Sequence, residues 1–325
     1  MNGRLEKELK ADAKMKQKLE QLPLIFTEFY YALEAEGKSY TTLNNYINHN
    51  IDFMNYVTNN KPSNTFYLNV QGVNINQYMA SIRRKEVNGN VIRMGDDIRA
   101  ARWSSINSFF NFLKNNGNIT ENPMEKTNRP KIKTEHKVTY LSSDEITDVL
   151  DKIKQEATSK KMSRDLCIIS LALSTGLRVS AITQINVQDV NLKNNTIAVI
   201  EKGNKIRTIH IGGNMRQLII QYLEDREVCF SRISTDALFV SQWGTRMTAQ
   251  AVRNLVSKYT DGITDKHITP HKLRASAATN LAANGASIQA IAKILGHENI
   301  QTTRRYVEVL EEETANAINI LDNLI

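Results

Sequence analysis

Apolar residues recur near a helical period through most of this chain and switch to alternation in one short stretch. In "SYTTLNNYINHNIDFMNYV" the residues Leu43, Tyr46, Ile47, Ile51, Met54 and Val57 fall on one helical face. "LPLIFTEFYYALEAEG" predicts a helix ending at Gly37, since glycine adopts the left-handed helix-end conformation at least cost. "INQYMASIRRKE" and "DDIRAARWSSINSFFNFLKNNG" continue the series. The second of these opens on aspartates suited to unpaired helix N–H groups and stops at Gly117. Residues 22–126 therefore read as a small helical bundle. Ahead of it, residues 4–21 alternate in charge sign around a few leucines and read as a charged extension (residues 1–21), a solvated or partner-docked helix.

The pattern breaks at "NPMEKTNRPKIKTEHKVTY", which has two prolines, many lysines and no apolar periodicity. Residues 127–140 read as a basic interdomain linker. A second domain, residues 141–310, opens on "LSSDEI": Ser142 and Glu145 form a capping box and Leu141 with Ile146 a hydrophobic staple. "SRDLCIISLALSTG" reads as a buried helix stopped by Gly176. "VQDVNLKNNTIAVIEKGNKIRTIHIG" then alternates and is β-branched, with turns at Asn194-Asn195 and Lys202-Gly203-Asn204. This predicts a small antiparallel sheet of about three strands. Helices resume from Met215. The fold class expected is mainly α with a small antiparallel β-sheet, α+β, in two domains. The tail, residues 311–325, is acidic and then carries Ile318, Leu321, Leu324 and Ile325 as an apolar stripe.

Length and composition narrow the function classes. The 325 residues are enough for two domains. No run of about 18 apolar residues exists, and the N-terminus lacks the apolar core of a secretory signal, so neither membrane nor export is expected. Cys167 and Cys229 suffice for neither a disulfide framework nor a zinc site, and Cys167 lies in an apolar run that predicts a buried thiol. A cytoplasmic protein is the expectation. The formal charge of +8 is compatible with a polyanionic partner.

Five places carry candidate chemistry. Arg178 follows the helix stop at Gly176, and Lys202 lies at the turn between two alternating segments. In "ITPHKLRASAATN", Thr269 is an N-cap and Pro270 suits the first helical position. That puts His271 and Arg274 on one face of the first turns, where unpaired backbone N–H groups favour a phosphate. His297 follows "SIQAIAKILG" on a turn fixed by Gly296. Tyr306 sits in a short helix with Thr302 or Thr303 as its cap, nine residues after His297 and beside Arg304 and Arg305. Taken singly, each has an ordinary reading: a paired surface arginine, a solvated turn lysine, a helix-cap histidine, a packed tyrosine ring. Their joint order and spacing favour a common site.

"TGLR…EKG…HKLR…LGH…TTRRY" resembles the signature of the tyrosine site-specific recombinases, the phage-integrase family. The resemblance covers roughly 141–310 and extends loosely to 22–126, which looks like that family's helical core-binding domain. It implies that Tyr306 is the nucleophile on a scissile DNA phosphate and that Arg178 and Arg274 hold the non-bridging oxygens. It further implies that Lys202 protonates the 5′ leaving oxygen, His271 assists proton transfer from Tyr306, and His297 bonds a phosphate oxygen. Implied too are a double-stranded DNA partner with specific sites, a homotetramer linked by exchange of the C-terminal helix, a Holliday junction intermediate, and no cofactor or metal. The short segment before Leu22 leaves no room for a separate arm-binding domain, which implies the simple two-domain type. Arg304 and Arg305 read as contacts to DNA backbone or to nearby acids.

The chemistry supports those residue types on its own terms. Phenol has a pKa near 10, so a tyrosine nucleophile needs a base or a cationic field at neutral pH. Planar guanidinium forks meet two phosphate oxygens at once, which lysine does not. One position departs from the family pattern. Ala181 stands where R-x-[SG]-E-[LI] has an acid, and Asp189 or Glu201 is the candidate substitute. A type IB topoisomerase and a DNA-binding regulator without catalysis are the alternative functions.

Overall fold

The computed structural model describes residues 3–87, 90–131, 138–201, 205–230, 233–297 and 299–310. The readings made for Lys202, for the central linker residues 132–137 and for the tail 311–325 lie outside the described residues. The chain divides into two units, Met1–Glu135 and His136–Ile325.

The first unit is built from helices α1 (Gly3–Leu19), α2 (Leu24–Ala35), α3 (Tyr40–Val57), α4 (Gly72–Ser81) and α5 (Asp96–Asn115). Ser39 starts α3 by accepting a hydrogen bond from the Thr42 N–H, which satisfies a donor that has no partner within the helix. The apolar faces meet in an aromatic core. Phe26 stacks on Phe109 with centroids 5.6 Å apart, and Phe29 meets Phe109 edge-on at 5.2 Å. The later part of α1 packs one face onto the bundle and leaves Lys14, Gln17 and Lys18 exposed on the other. Met15 and Leu19 are buried in this core, the Tyr30 hydroxyl donates to Asp12, and Lys16 pairs with Asp12 at 2.9 Å. Between α4 and α5 the structure departs from the helix expected through Glu86. Strands β1 (Arg84–Val87) and β2 (Asn90–Arg93) pair antiparallel, Arg84 opposite Arg93 and Val87 opposite Asn90. In sequence, an Asn-Gly pair in "VNGN" separates the two strands, a dipeptide common in hairpin turns.

The second unit opens on α6 (Ser143–Glu156), whose Ser142–Glu145 capping box forms as expected. Helix α7 (Ser159–Thr175) follows and is the core helix. Cys167, Ile168, Ile169 and Leu171 have no exposed surface, and burial pushes the Cys167 thiol well above its usual range. After α8 (Val179–Gln184) come β3 (Val190–Asn191), β4 (Thr196–Ile200) and β5 (Ile206–His210), an antiparallel sheet in the order β3-β4-β5. Ile197, Val199 and Ile209 turn their side chains into the core while the alternate positions face outward. Helices α9 (Gly213–Cys229), α10 (Ala249–Thr260), α11 (Pro270–Ala283) and α12 (Ile288–Leu295) complete the unit, with a helical stretch over 301–310. The class is the expected one, mostly helical with a small three-stranded antiparallel sheet, to which the first unit adds the β1-β2 pair.

Two glycines set the ends that the site uses. Gly176 closes α7 at φ +60° and Gly296 closes α12 at φ +65°, both left-handed. A Cβ on Gly176 would lie 2.4 Å from Leu295 Cδ2 and 3.6 Å from Ala277 Cβ. The ends of α7 and α12 and the flank of α11 therefore meet at a spacing that a side chain at 176 would prevent.

Candidate active site

Helix α11 begins as expected, with Thr269 accepting from the Lys272 N–H and Pro270 in the first turn. Arg274, one turn in, is 2% exposed. A buried guanidinium is costly unless its N–H groups are bonded. Here Nη1 donates to the Gly176 carbonyl and Nη2 to the Leu295 carbonyl, each at 2.7 Å. Burial first, and then Arg178 nearby, bring its pKa down to about 10, which leaves it a cation at neutral pH.

Arg178 stands at the N-cap position of α8, immediately beyond the Gly176-Leu177 turn. Its Nη1 is 3.8 Å from Glu201 Oε1 at the end of β4. Ala181 is buried in the apolar core and brings no charge. Asp189 caps its own turn, its carboxylate accepting from the Asn186 N–H at 2.8 Å. Of the two carboxylates that the sequence offered in place of an acid at 181, Glu201 is therefore the one beside Arg178. The same Oε1 accepts from Arg207 Nη2 at 2.9 Å. Arg207 Nη1 donates in turn to the carbonyls of Lys293 and Ile294, at 2.7 and 2.9 Å.

Gly296 releases the chain from α12 and places His297, whose Nδ1 is 2.7 Å from the Thr303 hydroxyl. Thr303 is not a cap. Asn299 caps this stretch by accepting from the Gln301 N–H at 2.9 Å, and Thr303 is fully buried. The Tyr306 ring lies nearly parallel to that of His297, centroids 6.5 Å apart, and packs with Ala275, Ala278, Ile291 and Leu295. It is 1% exposed. Arg305 lies over this ring with its guanidinium carbon 5.0 Å from the centroid, and its Nη2 donates to the Tyr306 hydroxyl at 3.1 Å. Arg304 pairs with Glu308 at 3.1 Å, a nearby acid as expected, whereas Arg305 turns onto the tyrosine instead.

His271 lies in the first turn of α11. Loss of hydration, then Arg305, Arg274 and Arg178, hold its imidazole below the usual range. His297 is held down to about 4, by burial first and then by Arg274, Arg178, Arg305 and His271. Both rings are thus neutral at pH 7, able to accept a proton or to donate one hydrogen bond. The unfolded chain protonates His297 near the ordinary value of 6.5 and the folded chain near 4. The stability that neutral His297 contributes is complete above 6.5 and is lost as pH falls toward 4. NMR titration of the DNA-free chain is expected to give a His297 midpoint near 4, and a midpoint near 6.5 would contradict this account of its surroundings.

Arg178, His271, Arg274, His297 and Tyr306 come from α8, α11, the turn after α12 and the 301–310 helix, and they converge on one locality. Sequence reasoning missed Arg207, Thr303 and the orientation of Arg305. The β-alternation puts Arg207 on the same face as buried Ile209, opposite Val199, but does not say what its guanidinium meets. Thr303 offered only a capping signal.

The chain is similar to known proteins over the same segment. Residues 139–313 match the model of the phage integrase family. A tyrosine recombinase XerC of Vibrio vulnificus (strain YJ016) is 35% identical over 211 residues, covering 65% of this chain. The chain spans 65% of that relative's length. A tyrosine recombinase XerD of Staphylococcus epidermidis (strain ATCC 35984) is 30% identical over 295 residues, 89% of this chain and 95% of the relative. Among solved structures, the XerH site-specific recombinase bound to palindromic difH substrate has a TM-score of 0.68 at 21% identity, over 89% of this chain and 82% of that one. A lambda integrase tetramer bound to a Holliday junction has a TM-score of 0.66 at 15% identity, over 87% and 76%. These two likenesses concern the fold.

Proposed function

The chain belongs to the phage integrase family, and from that premise we propose that it is a site-specific DNA recombinase acting through a 3′-phosphotyrosine. The observation that carries the reading is the convergence of Tyr306 with His297, Arg274 and Arg178 at the meeting of α7, α11 and α12. The Tyr306 oxygen attacks a scissile phosphorus, forming the Tyr–O–P bond as the P–O5′ bond breaks. The 5′ oxygen leaves with a proton from Lys202. His271, neutral and beside Arg305 and Arg274, takes the phenol proton. Arg178 and Arg274 meet the charge that grows on the non-bridging oxygens, and His297 donates to one of them. A 5′-hydroxyl from a second strand reverses the step, so the phosphodiester energy is kept and no ATP is needed.

Residues 22–126 serve as a core-binding domain on double-stranded DNA carrying specific sites. Four protomers act on two duplexes, exchange strands in pairs through a Holliday junction and are linked by the tail, residues 311–325. The relatives' names and the DNA-bound neighbours support this assembly, as does the +8 charge. No helix among the described residues is long and apolar enough to cross a membrane, and the proposed work on DNA puts the protein in the cytoplasm.

The test is a nicked duplex that loses the 5′-hydroxyl fragment after cleavage and so traps the intermediate. Its core site is first selected from a random duplex pool with the full-length chain. Wild type is expected to form an adduct stable to denaturant, with the DNA-bearing peptide containing Tyr306. Sequence-selective binding without any adduct would overturn the catalytic reading in favour of a regulator.

A further inference from the structure

Resting on the reading above, we propose that Glu201 is a positioning residue for strand cleavage. Its carboxylate orients Arg178 and, through Arg207, ties the end of β4 to the turn that carries His297. In this chain it replaces the acid that Ala181 does not supply.

Four observations carry the proposal. Glu201 is mostly covered, its side chain 13% exposed, so its charge is weakly screened. Its Oε1 faces two arginines at different ranges, a hydrogen bond of 2.9 Å to Arg207 and a contact of 3.8 Å to Arg178. At the longer range the carboxylate aligns the Arg178 guanidinium without consuming a short hydrogen bond, so the fork stays available to phosphate. Arg207 commits its other nitrogen to the Lys293 and Ile294 carbonyls. Those are the two residues before Leu295, whose carbonyl holds Arg274. The second carboxylate oxygen lies against Gly296. A Cβ on that glycine would come within 2.5 Å of Glu201 Oε2.

Glu201 therefore touches, directly or through one residue, the supports of Arg178, Arg274 and His297. It also directly precedes Lys202 in sequence, and its N–H donates to the Lys205 carbonyl at 2.9 Å. A carboxylate at position 181 would have to arise from the apolar core beneath α8. Glu201 reaches Arg178 from the sheet instead. The cost of losing it is asymmetric: Arg207 would keep its charge in a covered site with its nearest anion gone.

The experiment uses the full-length chain and the nicked duplex described above, with single-turnover adduct formation, duplex affinity and thermal unfolding measured in parallel. Glu201→Gln is expected to slow adduct formation about 10- to 100-fold, the scale of a small misplacement of a catalytic group, with affinity unchanged. In a double-mutant cycle, Glu201→Gln added to Arg178→Lys is expected to cost much less than it does alone, because the effect runs through Arg178. Should Glu201→Gln lower the melting temperature, Glu201→Asp is compared with it, and the charge-keeping variant is expected to recover part of the rate. A wild-type rate in Glu201→Gln, full multiplication of the two losses, or equal rates for Asp and Gln would each overturn the proposal. If wild type itself forms no adduct, the recombinase reading fails before any variant is compared.

Discussion

Replacing Tyr306 by phenylalanine is expected to abolish the covalent protein–DNA adduct while leaving the fold and duplex binding close to wild type. Removing a covalent nucleophile leaves only binding and charge stabilisation, so the loss should be at least about 10⁴-fold. The structural cost is small for a definite reason. The ring keeps its packing against Ala275, Ala278, Ile291 and Leu295, and the deleted hydroxyl gives up one hydrogen bond from Arg305. A hydrogen bond from a charged donor is worth up to about 1.5–3 kcal/mol, and less where the partly exposed guanidinium turns to water instead. Adduct yield on the nicked duplex, duplex affinity and a denaturant melt check the three parts together. An adduct that persists in Tyr306→Phe would place the nucleophile elsewhere.

Arg274→Lys is expected to lower the rate of adduct formation about 10²- to 10³-fold, the usual cost of removing one preorganised donor, and to destabilise the chain as well. Arg274 bonds the Gly176 and Leu295 carbonyls with two different nitrogens. An ammonium is a single point donor and cannot reproduce that bridge together with a fork to phosphate. One carbonyl is then left without its donor, at about 1–3 kcal/mol. Arg274→Ala leaves both without one and opens a cavity besides, and its melting temperature should fall further. The two effects are separated by measuring cleavage well below the melting temperature. A lysine variant that melts early but cleaves at the wild-type rate would confine Arg274 to holding α7 and α12 together.

The local signals of this fold were readable where a single residue decides the backbone. Ser142 with Glu145, Thr269 with Pro270, and the glycines at 176 and 296 each announce a helix end, and each end is where the pattern put it. The switch from helical period to alternation marked the sheet in the same way. What sequence could not convey was side-chain traffic between distant segments. Nothing in "HKLR" says that its arginine bonds two carbonyls 98 and 21 residues away. Nothing in "EKG" says that its acid faces Arg178 and Arg207. Nor does "TTRRY" say that its two arginines take different faces of the helix, Arg304 meeting Glu308 and Arg305 the tyrosine ring. The pair Asn-Gly in "VNGN" is a turn signal, while the basic residues ahead of it continue a helical pattern.

The two carbonyls that hold Arg274 belong to the C-terminal ends of α7 and α12. Each helix carries the equivalent of roughly half a negative charge at that end, the sum of its aligned peptide dipoles. The buried cation therefore rests where two such ends point at it. A carboxylate could have stabilised the guanidinium as well, but an incoming phosphate would then have had to compete with a full, mobile anion for the same fork. Helix ends are fixed, partial and cannot be displaced, so they lower the cost of burial without neutralising the charge that the proposed reaction needs. Folding itself supplies the counter-charge and leaves the net positive field of the site for the proposed phosphate.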